Sequence, residues 1–302
     1  MLPDYLLITP AWNEAEFIEG TIRSVVAQTV KPLRWVVVSD GSTDGTDDIV
    51  RRYLPENPWM QLLRMPERNR RHFAGKVRAF QAGYDSVKHL PHDAVCSLDG
   101  DLSFESGYFE YLLKELAGDP GLGLVGTPFA EEGRVKYDYR FVSIEHVSGC
   151  CQMFRRQCYQ DTGGYVPVEG GGIDHIAVLT ARMKGWRTRT FTEMVCHHHR
   201  PIGSAQTGAL RSWFKNGAKD YALGGHPLFE CFRMLYQMTH RPYAVGGLLL
   251  GAGYAWSAMR GAQRPVTREM VTFRHREQMQ RLKSMVRKQR AWKAAFRQNQ
   301  AI

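Results

Sequence analysis

Three polar segments follow apolar runs in the first hundred residues, and their side chains have the chemistry to bind a charged ligand. They are Pro10–Glu14, Asp40 and Asp99–Asp101, each directly after a short apolar run. Carboxylates accept hydrogen bonds from ribose hydroxyls and base N–H groups, and oxygen ligands are what hard divalent cations prefer. These segments therefore predict a site for a nucleotide or a sugar diphosphate together with a metal ion.

The tripeptide Asp99-Gly100-Asp101 is the candidate metal motif. Residues two apart on an extended segment point the same way, so Asp99 and Asp101 can converge on one hard cation or on a sugar diphosphate. Two like charges this close are costly without a cation between them. Gly100 would let the backbone approach a bulky ligand closely. The motif predicts Mg²⁺ or Mn²⁺ as the cofactor.

The first polar segment is predicted to cover a nucleotide base. Pro10 should end the first strand, which leaves Trp12, Asn13 and Glu14 at the mouth of the sheet. Pro10, Ala11, Trp12 and Glu14 are the candidate ligand-binding residues of this segment. A flat backbone edge or the aromatic ring there could contact a base. The alternative is that Asn13 caps the following helix and Glu14 complements its dipole.

Asp40 and Lys76 are further candidate ligand-binding residues. Asp40 lies where a strand meets a glycine turn, and could accept hydrogen bonds from a nucleoside, although such residues also form ordinary capped turns. Lys76 begins a predicted helix, where its charge opposes the dipole. It could contact a phosphate or the carboxylates of Asp99 and Asp101, or could belong to a solvated basic loop.

The second half supplies a candidate general base and candidate metal-binding histidines. Glycines 170–172 precede Asp174 at a predicted helix start, so a mobile loop could carry this carboxylate to an acceptor hydroxyl. Asp174 could instead be only the helix cap. His198 or His199 could complete the coordination of a metal at Asp101, or could belong to an ordinary polar segment.

These residues depend on a regular alternation of strands and helices, which predicts a mostly parallel, Rossmann-like α/β sheet with helices on both faces. In such sheets, ligands bind beyond the carboxyl ends of the strands. Predicted strands are Tyr5–Thr9, Trp35–Ser39, Gln61–Arg64, Val95–Asp99 and Leu122–Thr127, followed later by Arg187–Phe191. Predicted helices are Phe17–Gln28, Thr46–Leu54, Lys76–Val87, Gly107–Leu116 and Asp174–Lys184.

Composition and charge divide the chain. We expect a catalytic domain over residues 1–205, with halves 1–128 and 129–205, and a helical C-terminal extension over 206–302. The chain has 43% hydrophobic and 23% charged residues, which excludes collagen-like and wholly disordered classes. The net charge of +10 belongs mainly to the basic tail 264–302. The six cysteines contain no Cys-x-x-Cys pair, so a reduced, cytoplasmic compartment is expected.

The extension contains two segments that could meet a membrane. Residues 243–259 are uncharged, but they are short for a bilayer span and rich in glycine. We expect them to be buried or interfacial, with a span as the alternative. The tail predicts an interfacial helix on an anionic membrane, its apolar face running from Leu282 to Phe296. That face could instead pack on the catalytic domain or a second subunit. Oligomeric state stays open.

Together the motifs resemble those of family 2 inverting glycosyltransferases, which have the A-type nucleotide-sugar-binding fold. Pro10–Glu14 resembles the opening Pro-x-Tyr-Asn-Glu motif, with Trp12 in the place of tyrosine. Residues 40–46 resemble the Asp-Asp-Gly-Ser-x-Asp-x-Thr motif, with Ser39 in the place of its first aspartate. Asp99–Asp101 resembles the metal motif, and Ile173-Asp174 stands where the family has Glu-Asp.

The resemblance implies roles for these residues. Asp40 would bind the nucleoside, Asp99 the ribose or diphosphate, Asp101 the divalent cation, and Asp174 would be the catalytic base. The Gln-x-x-Arg-Trp motif of processive synthases does not follow His199, so we expect one sugar to be added per acceptor. The second half, less specifically, resembles bacterial surface-polysaccharide transferases.

The expected function is transfer of a sugar from a nucleotide-diphosphate donor, UDP-linked in preference to GDP- or dTDP-linked. The expected acceptor is a polyprenyl-diphosphate-linked glycan at the inner face of the plasma membrane. Alternatives are a transferase that charges polyprenyl phosphate directly, a sugar-phosphate nucleotidyltransferase, and a non-enzymatic nucleotide-binding subunit. We expect no nucleic-acid partner, since one would leave the aspartates unexplained.

Overall fold

The computed structural model divides into two compact units, Met1–Ile202 and Gly203–Ile302. The residues it describes are 2–67, 73–135, 143–168, 170–200 and 209–299, without the side chains of 73, 209 and 286–299. The domain boundary expected after residue 205 falls in 201–208, outside the described residues. Most of the apolar face expected in the tail, from Val286 onward, also lies outside the described side chains.

The first unit is an α/β structure built on a seven-stranded sheet with the strand order β10-β6-β9-β4-β1-β2-β3. A smaller sheet has the order β5-β11-β7-β8. The strands are β1 (Tyr5–Ala11), β2 (Arg34–Ser39), β3 (Met60–Arg64), β4 (Ala94–Leu98), β5 (Leu102–Ser103), β6 (Leu122–Gly126), β7 (Phe129–Glu131), β8 (Arg134–Val135), β9 (Cys151–Arg155), β10 (Arg187–Thr190) and β11 (Cys196–His198).

Helices cover both faces of the large sheet and make up the second unit. Those of the first unit are α1 (Ile18–Val26), α2 (Thr46–Tyr53), α3 (Phe73–Val87), α4 (Tyr108–Gly118), α5 (Arg156–Thr162) and α6 (Ile173–Met183). Those of the second unit are α7 (Ala209–Ala222), α8 (Pro227–Met238), α9 (Val245–Met259) and α10 (Arg268–Asn299). Every strand and helix predicted in the first 127 residues is present, with ends shifted by three residues at most.

Burial explains why the central strands read as continuous apolar runs. β2 and β4 lie inside the sheet with helices on both sides, so nearly every side chain is buried. One apolar core joins the sheet to α1, α2 and α4, and the other joins it to α3, α5 and α6. The expected α/β fold with helices on both faces is confirmed.

The prediction that Pro10 ends the first strand is wrong. β1 continues through Pro10, which pairs with Val38, and ends at Ala11, which pairs with Ser39. A proline removes one backbone donor but does not prevent the strand's carbonyls from pairing. The amide of Asp40 accordingly donates to the Ala11 carbonyl at 2.8 Å. The chain leaves the sheet only after Ala11.

An antiparallel strand in the middle of the sheet was not among the predicted elements. β9 lies between β4 and β6 and is antiparallel to both, whereas β1, β2, β3 and β4 are mutually parallel neighbours. Its five residues are mostly buried and show no alternation of polar and apolar side chains. A run this short does not distinguish a strand from a buried helical turn.

The second unit contains a buried group of charged side chains. Asp220 on α7 accepts hydrogen bonds from Arg233 on α8 and, at 3.1 Å, from Arg274 on α10. Burial raises the pKa of Glu230 to about 7, against the opposing charge of Arg274. Within the described part of the chain, no helix is both long and apolar enough to cross a membrane.

Two helical glycines give a matched test of how closely α3 packs on the sheet. A Cβ at Gly83 would lie 2.6 Å from Val38 and 2.8 Å from Ile8, whereas one at Gly20 on α1 would meet nothing within 4 Å. We expect Gly83→Ala to lower the free energy of unfolding by about 1–3 kcal/mol through overpacking. Gly20→Ala should raise it by up to about 1 kcal/mol, the helix-propensity gain. Urea unfolding measures both, and equal effects would contradict the close packing.

Candidate functional site

The polar segments that follow β1, β2 and β4 meet at one edge of the sheet, because these three strands are parallel neighbours. Ala11 is buried and Trp12 half-buried at the start of the first segment. Asp40 follows β2 and is 5% exposed. The amide of Asp99 donates to the Cys150 carbonyl, just before the antiparallel strand β9, at 2.9 Å.

Hydrogen bonds join the first two of these segments. Asn13, whose φ is 54°, donates its amide to the Ser42 hydroxyl at 3.1 Å and accepts from the Thr43 amide at 2.9 Å. The Glu14 amide donates to the hydroxyl of Thr46 at 2.8 Å. The alternative that Asn13 caps its own helix is therefore not what the structure shows: its side chain bonds to the second segment.

Asp44 strengthens the same connection, and it was not among the predicted site residues. Its carboxylate accepts from the amides of Ala15 at 2.9 Å and Thr46 at 3.1 Å. Burial alone would raise the pKa of Asp44, but hydrogen bonds from the Thr46 hydroxyl and from these amides outweigh it and lower the pKa. An ionised Asp44 therefore holds the two segments together.

Gly100 lies against the first segment. A Cβ at this position would be 3.2 Å from Ile18 on α1 and 3.4 Å from Glu14. Packing between protein segments is thus one reason for a glycine here. The expected close approach to a ligand at Gly100 stays a prediction.

Asp99, Asp101 and His198 form a group that could hold a metal ion. Each offers one ligand atom, and these atoms lie within 4.8 Å of one another. The small sheet brings them together: β11 pairs with β5, which places His198 beside Leu102, and the His199 amide donates to the Asp101 carbonyl at 2.9 Å. The distance from His198 Nε2 to Asp101 Oδ1 is 3.5 Å.

The donor set fits a divalent cation. Asp101 is 5% exposed, and its buried Oδ1 makes no hydrogen bond to the described residues. Burial and then the charge of Asp99 raise the pKa of Asp101, while His198, Arg200 and Lys76 oppose the shift. A cation between the carboxylates would relieve both costs. Two carboxylates with an imidazole suit Mn²⁺, and the carboxylates alone suit Mg²⁺.

The two histidines proposed as metal ligands are placed differently. His198 belongs to the three-residue group, whereas Nε2 of His199 lies 2.7 Å from the Ser103 hydroxyl. Consecutive residues of an extended strand point to opposite sides, which explains the separation. The geometry therefore favours His198 over His199 as the ligand.

Two charged residues beside this group were missed at the sequence level. Glu131, buried on β7, has its Oε1 3.4 Å from Nδ1 of His198. Arg200 contacts Glu14 at 2.5 Å and lies 3.9 Å from Asp101 Oδ2. Arg200 follows the histidines directly and so could have been suspected. Glu131 carries no sequence signal, because it reaches the site only through the pairing of β7 with β11.

Lys76 connects the metal group to the second half of the unit. Its ammonium forms an ion pair with Asp99 and donates to the Gly149 carbonyl at 3.0 Å. Burial would lower the pKa of Lys76, but the charge and hydrogen bond of Asp99, with a contribution from Asp174, raise it. Of the two interpretations of this residue, contact with a carboxylate is the one that the structure shows.

Asp174 lies half-buried in the first turn of α6, beside this lysine. Gly172 precedes the helix with a φ of 93°, a left-handed conformation that glycine adopts without strain. A Cβ on Gly149 would lie 2.9 Å from Cβ of Asp174, so only glycine allows this approach. Lys76 therefore contacts Asp99 directly, and it also contacts the carbonyl of Gly149, the residue that packs against Asp174. These four residues lie at one edge of the sheet.

Comparison with known sequences shows the family. The sequence model described as "Glycosyl transferase family 2" matches residues 6–163, more than half of the chain. The chain belongs to glycosyl transferase family 2. The matched residues include the three polar segments of the sheet edge, Lys76 and β9, and they stop short of Asp174 and His198.

This family 2 chain has curated relatives among bacterial polysaccharide synthases. It is 28% identical over 118 residues to poly-beta-1,6-N-acetyl-D-glucosamine synthase of Staphylococcus aureus strain COL, covering 39% of the chain and 26% of that protein. It is 28% identical over 126 residues to chondroitin synthase of Pasteurella multocida strain Pm70, covering 42% of the chain and 12% of that protein. The chain thus spans about a quarter or less of these relatives.

Solved structures agree with the family 2 fold. The mannosyltransferase PcManGT from Pyrobaculum calidifontis, in complex with GDP-Man and Mn²⁺, matches with a TM-score of 0.59 and 23% identity. That match covers 87% of this chain and 77% of the other. S. aureus TarS in complex with UDP-GlcNAc matches with a TM-score of 0.55 and 14% identity, covering 90% and 78%. At these identities the likeness shows the fold.

The position of Glu131 predicts an effect on metal affinity. A carboxylate that receives the second N–H of a metal-binding histidine orients the ring and raises its basicity. Glu131→Gln keeps the shape and removes the charge, and should weaken Mn²⁺ binding by about 10- to 100-fold. Glu132→Gln, at an exposed neighbouring position, should leave it unchanged. Calorimetric titration with Mn²⁺ measures both, and equal affinity in the two variants would remove Glu131 from the site.

Proposed function

We propose that this family 2 protein is a metal-dependent inverting glycosyltransferase that uses a nucleotide-diphosphate sugar. The observation that carries the proposal is the meeting of Asp99, Asp101 and His198 with Lys76, which also reaches the backbone beside Asp174. A cation group and a carboxylate at one sheet edge are what diphosphate departure and acceptor activation require.

The donor would lie across the carboxyl ends of β1, β2 and β4. Asp40 would accept hydrogen bonds from the nucleoside, and Pro10, Ala11 and Trp12 would line the base. Glu14 would support this region through Arg200, and Asp99 with Gly100 would face the ribose or the diphosphate. Lys76 would meet the diphosphate from the side of Asp99. Asp44 keeps the first two segments in register while the donor binds.

Asp101 and His198 would hold Mg²⁺ or Mn²⁺, with Asp99 beside them. When bound, the cation would stabilise the negative charge that develops on the departing diphosphate. Glu131 would keep the imidazole of His198 oriented, and Arg200 would hold Glu14 beside Asp101. These contacts place the charged groups before a donor arrives.

Asp174 would act as the general base. Its carboxylate takes the proton of an acceptor hydroxyl while that oxygen forms a bond to the anomeric carbon and the bond to the leaving diphosphate breaks. Attack comes from the face opposite the leaving group, so the configuration inverts. Lys76, which pairs with Asp99 and donates to the Gly149 carbonyl next to Asp174, adds a positive charge on this side of the site.

We propose UDP as the nucleotide and a hexose or N-acetylhexosamine as the sugar. Support comes from the structural likeness to TarS, which was solved with UDP-GlcNAc, and from relatives named as N-acetylglucosamine and chondroitin polymer synthases. The likeness to a mannosyltransferase solved with GDP-Man makes GDP the nucleotide to test against it.

The proposed acceptor is a glycan on a polyprenyl diphosphate at the inner face of the plasma membrane, extended by one sugar in bacterial polysaccharide synthesis. The basic second unit supports this placement, because residues 203–302 carry 17 Lys and Arg against 4 Asp and Glu. Direct charging of polyprenyl phosphate is the second candidate. A donor-binding subunit without catalysis is the third.

Replacement of the proposed base gives the first test of the mechanism. Asp174→Asn should lower turnover of the UDP-sugar by about 10²- to 10⁴-fold, because general-base catalysis is lost. Affinity for UDP with Mn²⁺ should stay near that of the wild type. Asp48→Asn removes a comparable carboxylate from the first turn of α2, at an exposed position, and controls for the helix-dipole effect. Turnover of Asp174→Asn within threefold of this control would identify another residue as the base.

Replacement of Asp101 tests the metal assignment separately. Asp101→Ala should abolish the part of UDP binding that depends on Mn²⁺, because it removes the buried carboxylate of the cation group. Calorimetry with UDP, with and without Mn²⁺, measures this part directly. Metal-dependent affinity that survives in Asp101→Ala would place the cation elsewhere.

A further inference from the structure

α9 exposes several large apolar side chains on the outer surface of the second unit. At 100° per residue, its exposed positions fall within an arc of about 160°, and none of them is polar. This outer face of α9 consists of Val245, Leu248, Ala252, Ala255, Trp256, Ala258 and Met259. Met259 is 75% exposed and Leu248 57%. Such a continuous exposed apolar face is unusual for a helix that faces water.

The opposite side of α9 explains why large apolar side chains are exposed on this helix. Gly246, Gly247 and Gly253 are buried there beside Leu250 and Tyr254, and a Cβ on Gly253 would overlap the Phe214 carbonyl of α7. A Cβ on Gly247 would likewise overlap the Met234 carbonyl of α8. Close helix packing through small residues, with large apolar residues outside, is the arrangement that helices in lipid adopt.

Both ends of this face carry groups suited to a membrane interface. Arg241 precedes α9, and Arg260 follows it with its guanidinium 4.2 Å from the centre of the Trp256 ring. Tyr243 is 62% exposed. Tryptophan and tyrosine favour the headgroup level, where arginine can place its stem in the apolar layer and its charge in water.

We propose that the outer face of α9 inserts into one leaflet of an anionic lipid bilayer, with the helix lying along the membrane surface. α9 has 15 residues, so it is about 22 Å long, against about 30 Å for the hydrocarbon core. Leu228 and Leu235, both about 60% exposed on the neighbouring helix α8, add apolar surface. The inference rests on the proposed function, which places the protein at a membrane, and it names the outer face of α9 as the surface that binds the lipid.

Charge favours lipid over a second copy of this chain as the occupant. Between residues 227 and 260 the one acidic residue is Glu230, which is buried, while Arg241 and Arg260 are exposed. Two copies joined through α9 would bring the arginines of one basic unit towards those of another. An anionic leaflet instead supplies negative charge beside an apolar layer.

Vesicle sedimentation of the full chain tests the inference. The wild type should sediment with phosphatidylcholine vesicles that contain phosphatidylglycerol, and less with phosphatidylcholine alone or in high salt. Leu248→Ser/Met259→Ser should weaken partitioning by about tenfold or more, because two large apolar side chains are lost. Leu33→Ser/Ile144→Ser removes two exposed apolar side chains from the first unit and should leave partitioning unchanged.

Two further measurements identify the surface that binds. Brominated lipids should quench the fluorescence that the wild type has and Trp256→Phe lacks. Trp292→Ser/Phe296→Ser changes the tail in the same way, and should weaken partitioning less than the α9 variant. Tail variants that abolish partitioning while the α9 variant partitions normally would overturn the inference. An α9 variant that turns a dimer into a monomer without affecting partitioning would do the same.

UDP affinity in the presence of Mn²⁺, measured on the same samples, separates this inference from the proposed function. The α9 variant should bind UDP as the wild type does. Normal UDP binding by a wild type that does not sediment with anionic vesicles would overturn only the membrane surface. Sedimentation without UDP binding would overturn only the donor site.

Discussion

The repulsion between Asp99 and Asp101 is the constraint on which the rest of the site depends. The two carboxylates belong to one group of ligand atoms, and Asp101 is buried. Burying like charges together is costly unless positive groups surround them. Lys76 pairs with Asp99, while His198 and Arg200 lie beside Asp101. These positive groups come from distant parts of the chain, so the two carboxylates are stabilised only when the unit is folded.

The antiparallel strand β9 has a consequence for chemistry as well as for topology. By entering between β4 and β6, it brings residues 149 and 150 to the carboxyl end of β4. The Cys150 carbonyl then holds the amide of Asp99, and the Gly149 carbonyl accepts from Lys76. Since Gly149 also leaves room for Asp174, this strand joins the donor half of the unit to the proposed base.

The two units divide charge as well as structure. Residues 1–202 carry 23 Lys and Arg against 26 Asp and Glu, whereas the second unit is strongly basic. The first unit is therefore nearly neutral, and the second carries the positive charge that an anionic surface would attract. In α9, three glycines are buried together with Leu250 and Tyr254, whereas Leu248, Trp256 and Met259 are exposed.

Local pattern alone determined much of this protein. Buried parallel strands read as apolar runs and their helices as amphipathic repeats, so the α/β alternation, the sheet edge and the placement of Asp40, Asp99 and Asp101 followed from the sequence. The sequence did not predict the roles of Glu131 and Asp44 or the strand β9. It also left open whether His198 or His199 is the metal ligand. Those features depend on contacts between segments that are distant in the sequence. The free energy of strand pairing comes from these contacts, so a short stretch of sequence does not reveal it. The tertiary structure decided them because a one-residue change in register would send a different side chain into the site.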